Sequence, residues 1–198
     1  MTMKITKGKA LIILGVVLLV IDQVIKVLVK TNMSIGESIH VFNWFQIFFI
    51  ENEGMAYGMK FGGAVGKFCL SLFRVVLSGV LIWWISKLLK RSDVPTGALV
   101  GLTLITAGAM GNIIDCLFYG MIWDYAPFMF GRVVDMFYFP LIETVWPTWM
   151  PFVGGEKYIF FAPVFNFADS CVTCGAIYLL LFQWKFFSAE EDRIIEKR

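Results

Sequence analysis

Four long apolar stretches decide what this chain can become. Residues 10–29, 68–89, 95–118 and 163–184 carry few charges, and each run of about twenty residues can cross roughly 30 Å of hydrocarbon as a helix. Among its 198 residues 59% are hydrophobic and only 16% charged, far from the mix of a soluble domain. The fold class that follows is a mainly α membrane protein, a bundle of four transmembrane helices forming one domain over 1–198.

The basic residues orient the bundle. Lys4, Lys7 and Lys9 precede the first stretch, Lys87, Lys90 and Arg91 lie at the junction of the second and third, and Lys185, Arg193, Lys197 and Arg198 follow the fourth. Lysine and arginine stay on the cytoplasmic side, so both termini belong there and the connections 30–66 and 120–162 lie on the outer face. A basic start followed by an apolar run resembles a secretory signal, but no small-x-small site follows, so the run is expected to stay as an anchor. A net charge of +2 without a basic patch excludes nucleic acid as a partner. His40 is the sole histidine, so no zinc site is expected, and Cys171-x-x-Cys174 is read as helix packing.

Neither outer connection reads as a span. Residues 41–50 are rich in aromatic and β-branched side chains and predict a strand, with Glu51-Asn52-Glu53-Gly54 as the turn after it. Gly54, Gly58, Gly62, Gly63 and Gly66 then loosen the chain or let a backbone approach closely. A small extracytoplasmic sheet at headgroup level is expected, marked by Trp44. The second connection carries Trp123, Tyr125, Tyr138, Trp146 and Trp149 among Pro127, Pro140, Pro147 and Pro151, which suits interfacial loops on the bilayer. Within it, 131–137 reads as an extended stretch that lowers Asp135 towards the helices.

Ionisable groups in the apolar stretches supply the chemistry. Each costs roughly 2.5 to 3.5 kcal/mol to insert, so each needs a reason. Asp22 and Lys26, spaced i and i+4, share a helix face. Arg74 lies near the outer start of the second stretch, Asn112 and Asp115 near the outer end of the third, and Asp169 about 9 Å below the start of the fourth. All fall at one depth, just under the outer surface. Asp135 is the natural partner of Asp169, because two facing carboxyls share a proton and so divide into an acid and a base. That is aspartic protease chemistry, with no metal and no cofactor. A Ser170–Lys26 pair is a poor alternative, since Lys26 already has Asp22. A small proton- or ion-coupled transporter is the rival of another class, but the acids cluster at one level and no inverted repeat is apparent.

The blocks Asp22-Gln23-x-x-Lys26, Asn52-x-Gly54-x-Ala56, Gly111-Asn112-x-x-Asp115, Val133-Val134-Asp135 and Phe165-Asn166-x-Ala168-Asp169, in this order, resemble the signature of bacterial lipoprotein signal peptidase, signal peptidase II. The resemblance implies an inner-membrane aspartic endopeptidase, the target of globomycin. It would remove signal peptides from diacylglyceryl-modified prolipoproteins just before the lipidated cysteine. Its partners would be those substrates and membrane lipid, and a monomer would suffice. It makes Asp135 and Asp169 the catalytic pair and places Asn52, Gly54, Asn112, Asn166 and Ala168 against the substrate or the acids. Asp22, Lys26 and Asp115 become their support. Cys116 departs from the pattern, since family members usually carry arginine there; Arg132 or Arg74 is expected to supply the missing cation. The connections between Asp115 and Asp135 and between Tyr138 and Asp169 are also longer than usual.

Overall fold

The computed structural model of the protein describes residues 5–53, 63–160 and 163–188, with Glu143 described by its backbone alone. The first stretch forms α1, Lys7–Asn32, opened by Thr6, whose hydroxyl oxygen accepts from the Lys9 N–H at 3.4 Å. The second forms α2, Gly63–Leu88. The third forms α3, Thr96–Ile114, with Pro95 at its cap where a missing N–H does no harm. It runs on through a π-helical turn, Asp115–Tyr119, into a last short turn, α4, Gly120–Ile122. These three helices are long and apolar enough to cross a membrane.

The fourth stretch is shorter than expected. It forms α5, Phe167–Phe182, whose 16 residues span about 24 Å, less than a full hydrocarbon core. Helix cannot start at Pro163 because Phe165 is held extended, its N–H and C=O bonded to Phe137 at 3.1 and 2.7 Å.

Packing follows the apolar solvent. Ile12, Val16 and Val20 on α1 and Val76, Val80 and Trp83 on α2 are exposed, whereas α3 is buried through Ala98, Leu99, Leu102 and Ala107. α3 is the central helix and packs against α5, α1 and α2. A Cβ added at Gly108 would lie 2.3 Å from the Ala168 carbonyl oxygen, so the approach of α3 to the start of α5 requires glycine there.

β1, Ser38–Phe42, β2, Phe45–Asn52, and β3, Val133–Tyr138, form an antiparallel sheet in that order. The expected single strand over 41–50 is instead a hairpin turning at Asn43 and Trp44, and the expected turn at Glu51 and Asn52 is strand, paired with Val134 and Val133. The ladder with β3 overrides the polar local sequence. Val29, Phe49, Tyr119, Val134 and Met136 form the core that fastens this sheet to the helix ends. Within the second connection β4, Ile142–Val145, and β5, Lys157–Phe160, make a hairpin that the sequence reading missed. Gly54, Ala56, Gly58 and Gly62 lie outside the described residues.

Candidate active site

Lys26 is the hub of the buried polar cluster. Fully buried, its ammonium lies 2.9 Å from Asp22 Oδ2 and 2.8 Å from Asp115 Oδ2, and donates to Asn112 Oδ1 at 2.9 Å. The charge of each carboxylate, costly alone in an apolar interior, is thus compensated by a shared cation. Each acid also fixes a backbone. Asp22 Oδ1 accepts from the Ala168 N–H at 2.9 Å and so holds the first turn of α5 against α1. Asp115 Oδ2 accepts from the Val134 N–H at 3.2 Å, which pins β3 one residue before Asp135.

The π-helical turn serves the same end. Its wider winding leaves the Cys116 and Leu117 carbonyls to accept from Gly131 and Met129, at 2.9 and 3.2 Å, docking the segment that leads into β3. A Cβ on Gly131 would stand 2.0 Å from the Asp115 carbonyl oxygen, so no other residue fits this junction unmoved.

Asn166 caps α5 and touches both expected catalytic acids. Its Oδ1 accepts from the Asp169 N–H at 2.9 Å, and Asp169 Oδ2 accepts from the Asn166 N–H at 3.3 Å, a reciprocal capping box. The Asn166 amide then donates to Asp135 Oδ1 at 2.6 Å and Asn112 Oδ1 at 3.1 Å. Asn52 donates to Asp135 Oδ2 at 3.1 Å, and Asn112 to Asp169 Oδ1 at 2.7 Å. Three asparagines from β2, α3 and the cap of α5 therefore hold two acids from β3 and α5. The structure brings Asp22, Lys26, Asn52, Asn112, Asp115, Asp135, Asn166, Ala168 and Asp169 into one network.

Burial is the main reason that the Asp135 carboxyl is pushed up to about 7, and the negative charge of nearby Asp169 adds to it. The amides of Asn52 and Asn166 pull the other way. An acid poised at neutral pH beside a second carboxyl can both give and take a proton. Among the described residues no three His, Cys, Asp or Glu side chains converge as metal ligands.

The two candidate arginines differ. Arg74 Nη1 donates to Cys116 Sγ at 3.2 Å, putting a cation beside the residue that follows Asp115. Arg132 Nη1 donates to Glu51 Oε2 at 3.2 Å and lies over the Tyr125 ring. Glu51 is bridged on its other side by Lys30, whose ammonium stands among Phe49, Trp123 and Tyr125. Two residues had no role in the sequence reading. Gln23 donates to Asp22, Asp115 and the Gly111 carbonyl and accepts from the Tyr119 hydroxyl, joining α1 to α3. Glu51 ties the sheet to α1. The signal for Gln23 was its place in the Asp22-Gln23-x-x-Lys26 block, where it was assigned no role of its own. Gly54 lies outside the described residues.

Residues 14–185 match a family model described as signal peptidase (SPase) II. The chain is 49% identical over 193 residues to a lipoprotein signal peptidase of Porphyromonas gingivalis, covering 90% of this chain and 84% of that protein. It is 36% identical over 190 residues to a lipoprotein signal peptidase of Amoebophilus asiaticus, covering 91% and 79%. A bacterial membrane enzyme solved by the in meso method at 2.3 Å aligns with a TM-score of 0.63 and 25% identity, covering 91% of this chain and 90% of the other.

Proposed function

This chain belongs to the signal peptidase II family and is an aspartic peptidase, and from that premise we propose that it cleaves diacylglyceryl-modified prolipoproteins just before the lipidated cysteine, using one water between Asp135 and Asp169. The observation that carries the reading is Asn166, which bonds Asp169 and Asp135 at once. A residue that caps a helix while gripping two acids from different elements serves a site, not the helix alone.

Asp169, ionised, takes a proton from the water as its oxygen bonds to the scissile carbonyl carbon, while protonated Asp135 gives its proton to the carbonyl oxygen. The tetrahedral diol then collapses. Asp169 passes its proton to the leaving nitrogen as the C–N bond breaks, and a diol hydroxyl returns one to Asp135. The products are a carboxylic acid and a free amine, and the pair is restored without a covalent intermediate. Asn52 and Asn112 keep the two acids in place for this exchange. Arg74, held by Cys116, supplies the cation that the family pattern leads one to expect after Asp115, and meets substrate carbonyls.

The proposed setting is the bacterial inner membrane, with four spans, both termini cytoplasmic and the site at the outer face, so that the diacyl chains stay in the bilayer while the scissile bond reaches the acids. The outer loops rest on lipid, and one copy of the chain suffices. The transporter reading is not favoured, because the buried charges form one closed cluster and not a path. Purified protein in vesicles should cleave a diacylglyceryl-modified prolipoprotein and leave the unlipidated form intact, with no ion flux. Equal cleavage of both forms would overturn the substrate reading.

A further inference from the structure

Asn112 stands between the buried cation and the acid pair. Its Oδ1 takes one hydrogen from the Lys26 ammonium at 2.9 Å and one from the Asn166 amide at 3.1 Å. An oxygen that faces a cation cannot trade places with its own NH2 group, so Asn112 Nδ2 must point the other way, where it meets Asp169 Oδ1 at 2.7 Å. Hydrogen bonds from a charged donor are roughly twice as strong as neutral ones, so the lysine, more than Asn166, fixes this orientation.

The geometry points to Lys26 as a positioning residue that keeps a hydrogen-bond donor turned towards Asp169, the base of the pair, acting through the Asn112 amide; this deepens the acid-pair reading above and rests on it. With Asn112 oriented as a donor, Asp169 is met as an acceptor and favoured as the carboxylate; Asp135 also accepts from two amides, and burial and the Asp169 charge hold its proton against the pull of those amides and of Lys26. Without the ammonium only the Asn166 amide still holds Asn112 Oδ1, and the Asn112 amide turns more readily. Its oxygen then faces Asp169, which must hold the proton itself in order to donate. An Asp169 that holds the proton no longer activates water.

The charged and titratable groups around Lys26 come from every packed element. Asp22 on its own helix and Asp115 on the α3 run pair with it; Asp135 on β3 feels its charge, Asp169 on α5 lies beyond Asn112, and Tyr119 and Cys171 stand near Asp22. Asp22 and Asp115 also compensate the lysine, so Lys26→Met alone strands two buried carboxylates. The test therefore pairs Lys26→Met with Asp115→Asn and compares that double variant with Asp115→Asn, with Lys26→Arg and with Asn112→Ala. All are purified, checked for thermal unfolding, and assayed for kcat against pH on a lipidated substrate.

Relative to Asp115→Asn, the double variant should move the acid limb of the profile to higher pH by about one unit, the lower end of what an adjacent opposite charge does to a carboxyl. Asn112→Ala should move the limb the same way, and Lys26→Arg should leave it near its original place. Profiles that fall in height but keep the acid limb unmoved would overturn the proposal and leave Lys26 as a structural cation. Asn112→Ala leaves Lys26 both of its carboxylates, and an acid limb that it leaves unmoved would overturn the proposal even if the lysine variants fail to insert. Cleavage retained by Asp135→Asn or Asp169→Asn would instead reject the underlying acid pair.

Discussion

Replacing Asp135 by asparagine should abolish cleavage and yet make the folded protein more stable at alkaline pH. The carboxyl is only 2% exposed and is lifted from the ordinary 3.8 to about 7, by burial first and by the Asp169 charge second. Because the folded state holds this proton more tightly than the unfolded state, stability is full below about pH 4, falls as pH rises towards 7, and stays low above it. The displacement from 3.8 to about 7 corresponds to roughly 4 kcal/mol above pH 8. Asparagine carries no such penalty, but its NH2 group meets a donor from Asn52 or Asn166, which costs about 1 to 3 kcal/mol. The balance favours the variant by about 1 to 3 kcal/mol above pH 8 and disfavours it near pH 4, so the two stability curves cross. At 2 to 4 °C per kcal/mol for a chain of this size, Asp135→Asn should unfold roughly 2 to 12 °C higher than the native chain above pH 8. Thermal unfolding of both proteins in one detergent from pH 4 to 9, followed by tryptophan fluorescence, reads this directly. A gap between them that does not change with pH would refute the reasoning.

The same geometry makes three further predictions. Arg74→Ala should lower kcat/KM by about 10- to 100-fold, the loss of one charged hydrogen bond to substrate, and Arg74→Ala/Cys116→Arg should recover most of it; an unchanged rate in Arg74→Ala would remove that arginine from the site. Gly131→Ala should lower the unfolding temperature and the cleavage rate together, because its Cβ would lie 2.0 Å from the Asp115 carbonyl oxygen; a normal melting curve would show that the junction yields easily. Trp149 and Phe152, 78% and 101% exposed at the tip of the β4–β5 hairpin, should contact lipid, so Trp149→Ser/Phe152→Ser should slow cleavage in vesicles but not in detergent; equal slowing in both would refute that contact.

What the sequence could reveal depended on how costly each residue is to bury. Asp22 with Lys26, Asp115 and Asp169 stood out because ionisable groups are rare in apolar runs, and their common depth pointed to one cluster. Gln23 carries no charge and gave no such signal, although it joins two carboxylates, a carbonyl and a hydroxyl. The approach of Asp135 to Asp169 could be inferred from chemistry, but the way it is built could not. It depends on Asp115 fastening Val134, on Phe165 pairing with Phe137, and on Asn166 reaching across. Each of these is a contact between residues distant in the chain. Glu51 and Asn52 looked like a turn because their polarity is local, and became strand because β3 lies beside them. The β4–β5 hairpin was hidden for the opposite reason. Ile142 to Val145 and Lys157 to Phe160 are short strand-like runs, but the prolines between them drew attention to loop. Arg74 was one of two cations expected to compensate for Cys116, from its depth alone; which of the two meets that thiol depends on how α2 lies against the α3 run.

Single-turnover cleavage of a diacylglyceryl-modified prolipoprotein by purified Asp135→Asn and Asp169→Asn, each shown to be inserted and folded, tests the acid pair most directly. Both variants should give no product above the enzyme-free control, while the native chain cleaves at the lipidated cysteine. Product formed at the native rate by either one would mean that its carboxyl takes no part in activating the water.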